Sequence, residues 1–186
     1  MRASPTLGAF LVGLMVAASP RAGARECPPR GVLLVVRAGP HRLYECDGGK
    51  MVATFRVALG SGGVGKRARG DAKTPLGTYR LGSPRPSASF HVFIPIGYPT
   101  AAQRRRGFTG AAVGVHGPAR AFRWAGEANV LVDWTLGCIA VKSDHAIDAI
   151  ARWVRTRHVT TIAIDPVTRE SAAGSSRAHT RTSRSR

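Results

Sequence analysis

The sequence predicts a mostly-β domain, sandwich-like or barrel-like, with one main helix. Three observations predict it. Short β-type runs separated by turn residues recur through the middle of the chain. Only one stretch, near the end of that region, carries a helical apolar period. Apolar residues make up 44% of the 186, which is enough to bury a core and excludes wholesale disorder.

The elements follow in order. Residues 32–37 (VLLVVR) form a buried strand, and the Ala38-Gly39-Pro40-His41 turn leads into a second strand at 43–46. Asp47-Gly48-Gly49 is the next turn, and 51–59 (MVATFRVAL) is a strand ending at a Gly-rich loop. Residues 78–81, 90–94, 113–116, 130–134 and 139–141 are expected as further short strands, with a last one at 159–164. The helix runs from about Asp144 to Arg157, capped by Ser143 or Asp144. Ile147, Ile150, Ala151 and Val154 make its apolar stripe. Arg152, Arg155 and Arg157 sit near its C-terminus, where the helix dipole favours cations.

The ends read differently. Arg2, the apolar run 7–18, Pro20 and the Ala22-Gly23-Ala24 site form a secretory signal over 1–24. The apolar run is too short to span a bilayer comfortably, and cleavage after Ala24 is expected. The alternatives are an uncleaved anchor or a buried N-terminal helix. Arg25 and Glu26 before Cys27 argue against lipidation. Residues 166–186, rich in Ser, Thr and Arg, read as a disordered basic tail. The globular domain is then 28–165. Export places it in the periplasm, in the cell wall or outside the cell. No later segment is apolar enough for stable membrane insertion. A monomer is the default expectation.

The chain holds 28 Lys+Arg against 10 Asp+Glu, a formal charge of +18. Such a balance calls for a polyanionic partner: nucleic acid, an anionic membrane or a wall polymer. Export removes nucleic acid from that set. A non-catalytic wall-binding module would satisfy the charge alone.

One motif is a decoy. Gly60-Ser-Gly-Gly-Val-Gly65-Lys66 matches the start of a phosphate-binding loop. That chemistry needs a helix directly after the loop, and Gly70, Pro75 and Gly77 forbid one. A flexible loop between strands is the expectation.

Candidate chemistry centres on cysteine and histidine. Cys27 and Cys46 both lie in the N-terminal hairpin region, so a disulfide and two separate buried thiols are both open readings. Cys138 is left over, and Gly137 before it lets a substrate approach the backbone closely. A thiol needs a base or an electropositive site to act near neutral pH. Of the six histidines, His116 ends an apolar strand and precedes Gly117-Pro118, which suits a cleft. A buried thiol beside a loop histidine is the bland alternative. No His or Cys pair has metal-ligand spacing.

These residues carry a resemblance. Val115-His116-Gly117 followed by Thr135-Leu136-Gly137-Cys138-Ile139 resembles the signature of the L,D-transpeptidase catalytic domain family (the YkuD/ErfK type). Gly70-Asp71-Ala72-Lys73-Thr74-Pro75-Leu76-Gly77-Thr78-Tyr79, Tyr98-Pro99 and the N-terminal hairpin are similar too, so the likeness spans about residues 31–165. It implies a β-sandwich with Cys138 as nucleophile and His116 as general base. The Gly117 carbonyl would orient the imidazole. Gly137, Thr135 and Tyr98 are the expected oxyanion or substrate-binding positions. The implied substrate is a peptidoglycan stem peptide, attacked at an L-to-D peptide bond to give a thioacyl-enzyme, with no metal or cofactor needed. An amine would resolve it by transpeptidation, or water by hydrolysis, including release of a wall-linked lipoprotein. The sequence departs from the family at Leu136, Ala140, Ser143 and Gln103, which bears on substrate anchoring. Trp124 and Trp134 could line the cleft, with core packing the main expectation for each.

Overall fold

The computed structural model describes residues 26–166. The proposed signal, and the basic tail apart from Pro166, therefore lie outside the described residues. Nine strands form one continuous sheet: β1 (Val32–Arg37), β2 (Arg42–Asp47), β3 (Lys50–Ala58), β4 (Gly77–Arg80), β5 (Arg85–Ser87), β6 (His91–Pro95), β7 (Gly114–His116), β8 (Ile139–Val141) and β9 (Thr161–Asp165). Their order across the sheet is β4-β9-β1-β2-β3-β8-β7-β6-β5. The sheet curls, so that side chains from both of its ends meet in one core. Leu34, Leu43, Tyr79 and Ile162 from one half pack with Ile94, Val115 and Ile139 from the other. The sandwich expected from the sequence is thus a single sheet folded over.

The turn chemistry places the first three strands. Gly48 and Gly49 both take positive φ, which a side chain resists, and they close the β2–β3 hairpin. β1 pairs antiparallel with β2 and parallel with β9. The main helix, α2 (Asp144–Thr156), begins at Ser143, whose hydroxyl accepts the Ala146 N–H at 3.2 Å. It buries Ile147, Ile150, Ala151 and Val154 against the core, the stripe read from the sequence.

Three elements differ from expectation. A short helix α1 (Ala101–Arg105) forms where none is signalled by periodicity, because Thr100 and Gln103 make a capping box. Strand β5 contains Pro86, which is tolerated because β5 lies at the sheet edge. The apolar run 130–134 is not a strand. Val130 ends a segment of 3-10 turns (Arg120–Val130), and Leu131 and Val132 point into solvent. The cause is Asp133, whose carboxylate accepts the Leu59 N–H at 2.7 Å and pairs with His41 at 3.1 Å. That contact ties the segment to the end of β3 by a side chain, in place of a ladder.

Cys27 and Cys46 form a disulfide with Cα atoms 5.4 Å apart. It pins the segment before β1 to β2. Beside it, Arg37 is buried and held by Glu26 and Asp165.

Glu45 in β2 is a costly polar residue of the core. It is 4% exposed and its Oε1 has no hydrogen-bond partner. Burial pushes its carboxyl up to about 7 from an ordinary 4.5. The native state therefore holds a proton that the unfolded chain gives up above 4.5. Stability is full below that value and falls as pH rises through 7, by about 3 kcal/mol. The variant Glu45→Gln is expected to flatten this slope. Urea unfolding at pH 5 and pH 8 measures it; equal slopes in variant and wild type would refute the assignment.

Candidate active site

The site is assembled by β7 and β8, which run parallel with Val115 opposite Ile139 and His116 opposite Ala140. Extending the register one step back sets Gly114 opposite Cys138, just before β8. Side chains alternate along strands. Val115 and Ile139 face the core, so His116 and Cys138 share the other face. Both line a cleft of about 990 Å³ together with Phe90, Trp134, Lys66 and Arg69, among others.

The imidazole is fixed. His116 is 1% exposed, its ring stacks on Phe90 with centroids 3.9 Å apart, and Trp134 meets it edge-on at 5.9 Å. Its Nδ1–H donates to the Gly117 carbonyl at 2.6 Å, which leaves Nε2 without a proton. Burial lowers its pKa, outweighing the Gly117 hydrogen bond, so the ring is neutral near pH 7. A neutral imidazole in this tautomer can accept a proton.

The thiol is half-buried, with Sγ 3.5 Å from the Ala112 carbonyl. Burial raises its pKa, while the Gly114 N–H and the Lys66 charge act in the opposite direction. Both shifts favour the uncharged form, so the two groups rest as a neutral imidazole and a thiol.

The turn carrying Cys138 is locked from inside. The Thr135 hydroxyl donates to the Cys138 carbonyl at 2.7 Å and accepts the Gly137 N–H at 3.1 Å. Thr135 lines the cleft, yet its hydroxyl is engaged by the backbone. The Gly137 N–H, one of the expected oxyanion donors, is likewise engaged within the turn. Tyr98 is not brought to the cleft. It is 5% exposed, packs edge-on to Tyr79, and its hydroxyl lies 3.2 Å from the Lys66 carbonyl as donor.

The loop expected to be flexible is packed under this turn. Gly60 pairs with Thr135, and a Cβ at Gly60 would sit 2.2 Å from the Ala72 carbonyl oxygen. Asp71 organises the loop. Its carboxylate accepts the Lys66 ammonium at 2.6 Å and the N–H groups of Arg67, Ala68 and Lys73. Burial alone would raise this carboxyl, but those four donors hold it well below the usual carboxylate range. Lys66 and Asp71 are the residues that sequence reasoning missed. Their signal was a lysine five residues before the aspartate of the Gly-Asp pair.

Gly137 takes φ +123°, and a Cβ there would lie 2.5 Å from the Lys73 carbonyl oxygen. Gly137→Ala is therefore expected to displace the Cys138 turn and cost about 1–3 kcal/mol. Thermal unfolding together with the iodoacetamide reactivity of Cys138 checks this; an unchanged Tm and rate would contradict it.

The two rim tryptophans part company. Trp124 is 83% exposed on the 3-10 segment and is not a core residue. Trp134 is half-buried and lines the cleft, its indole N–H donating to the Asn129 carbonyl. Of the family departures, Leu136 stands exposed beside Cys138 and Ala140 is fully buried. Gln103 caps α1 and donates to the Tyr79 hydroxyl at 2.9 Å. Among the described residues no group of three or more His, Cys, Asp or Glu could hold a metal ion. Nor is any helix there long and apolar enough to cross a membrane.

A family model of the L,D-transpeptidase catalytic domain matches residues 31–167. No curated protein matches the chain in sequence. Among solved structures, the fold is similar to the helical cell shape determining protein Pgp2 of Campylobacter jejuni. That match has a TM-score of 0.59 and 21% identity, over 73% of this chain and 48% of that one. It is also similar to Bd1075 of Bdellovibrio bacteriovorus, with a TM-score of 0.53 and 16% identity, over 74% and 48%. The chain spans about half the length of these structures.

Proposed function

The chain belongs to the L,D-transpeptidase catalytic domain family, and on that premise we propose that it is an exported cysteine acyltransferase acting on peptidoglycan stem peptides. One observation carries the reading. His116 and Cys138 share a face of two paired strands at a cleft, with the Nδ1–H of His116 held by Gly117.

The steps follow from the two groups. Nε2 of His116 takes the thiol proton as Sγ of Cys138 forms a bond to the scissile carbonyl carbon. The carbon–nitrogen bond then breaks, and the imidazolium returns its proton to the leaving amine. A thioester on Cys138 remains. An incoming amine, or water, attacks it after giving a proton to His116, and the thiol is restored. The Thr135–Gly137 contacts hold the nucleophile in place during both halves. Backbone amides near the turn other than the engaged Gly137 N–H would supply the oxyanion contacts.

Incubation of the mature protein with tetrapeptide muropeptides tests the reading. Product masses separate joined stems, made by an amine acceptor, from trimmed stems, made by water. Equal product from wild type and Cys138→Ala would overturn it. Export through the 1–24 signal is part of the proposal, and cell fractionation tests it.

A further inference from the structure

The cleft lining contains three cations, Lys66, Arg69 and Arg120, and no acid. Among the described residues no carboxylate pairs with Arg69 or Arg120. Lys66 is different in kind, because its side chain is only 4% exposed. Its ammonium donates to Asp71 at 2.6 Å and to the Ala68 carbonyl at 3.1 Å. An ammonium has three N–H donors. One is thus without a partner among the described residues, and a buried donor left unpaired is costly.

Asp71 cannot take that third bond. Its Oδ1 already accepts from Lys66 and Lys73, and its Oδ2 from Arg67 and Ala68. The loop therefore fixes a cation in the cleft wall with one donor that Asp71 and Ala68 do not take. The position is close to the chemistry: Lys66 Cδ is 3.6 Å from where a Cβ on Gly137 would sit, next to Cys138. Arg69 belongs to the same wall. A Cβ on Gly110 would lie 3.1 Å from Lys66 Cε and 3.7 Å from Arg69 Cα.

We propose that Lys66 and Arg69 form a carboxylate-binding subsite beside Cys138, which anchors a free carboxylate on one of the two residues flanking the scissile bond. The inference rests on the thioacyl reading above and adds the substrate group that is gripped. A fixed ammonium and a guanidinium suit a carboxylate through charge-assisted hydrogen bonds. Two carboxylates qualify: the terminal one of the leaving D-residue, and a side-chain one on the L-centre residue.

The test uses the mature protein and three donor tetrapeptides. One has both carboxylates free, one is amidated at the C-terminus, and one is amidated on the L-centre side chain. Wild type is expected to lose about 10- to 100-fold in kcat/KM on one of the two amides, which identifies the source. Lys66→Met should lose a similar factor on the free acid and nothing further on that amide, whereas Lys66→Arg should retain discrimination. Should Lys66→Met fail to fold, the exposed Arg69→Ala carries the test through a raised KM and reduced discrimination. Equal turnover of all three peptides by wild type, or full discrimination in Lys66→Met or, should that variant not fold, in Arg69→Ala, would overturn the subsite alone. No turnover of any peptide and no acylation of Cys138 would remove the thioacyl reading, and the subsite with it.

Discussion

Cys138→Ala is expected to lower turnover of tetrapeptide donors by about 10⁴-fold or more while leaving the fold intact. The magnitude follows from losing the nucleophile outright, since the remaining oxyanion and binding contacts retain only a small part of the acceleration. The fold survives because, among the described residues, Sγ makes only weak contacts, with the Ala112 carbonyl at 3.5 Å and the Gly114 N–H. The contacts that lock the turn run through the backbone of Cys138 and through Thr135. Paired measurements of kcat and Tm check this. A variant with wild-type turnover would show that the thiol takes no part.

His116→Gln is expected to cost about 10²- to 10⁴-fold in kcat/KM near neutral pH, the usual contribution of a positioned general base. The pH profile carries the sharper signature. Burial lowers the His116 pKa beneath its ordinary 6.5. The wild-type rate should therefore fall only when pH drops below that value, as the imidazole becomes charged and can no longer accept a proton. Near pH 7 and above it should be level with respect to this group. In the Gln variant that acid limb disappears. Its rate should instead climb at alkaline pH with the thiolate, because burial holds the Cys138 thiol above its usual range. A variant profile that keeps the wild-type acid limb would exclude His116 as the base.

Much of this was legible in the sequence for identifiable reasons. The Asp47-Gly48-Gly49 turn and the Ile147–Ile150–Ala151–Val154 stripe are local signals, and local signals survive folding. Cys138 and His116 stood out because a Gly precedes one and follows the other at strand ends. What was not legible depends on contacts between distant segments. The run 130–134 has strand composition, but Asp133 bonds to the end of β3 and holds it out of the ladder. The loop from Gly60 to Lys66 looked mobile because it is glycine-rich. Those glycines are instead what lets its backbone reach Ala72 and Asp71. Tyr98 carries a motif of the family, and the structure buries it away from the cleft with its hydroxyl donating to the Lys66 carbonyl. The Lys66–Asp71 pair sits behind the reactive turn only because that loop closes.

The central claim is a covalent thioester on Cys138. The direct measurement is rapid acid quench of the mature protein with a tetrapeptide donor and no added amine, followed by peptide mapping by mass. A tripeptide acyl group on the Cys138 peptide, absent in Cys138→Ala, is the predicted result. Product released with no thioester on Cys138 at any time would contradict it.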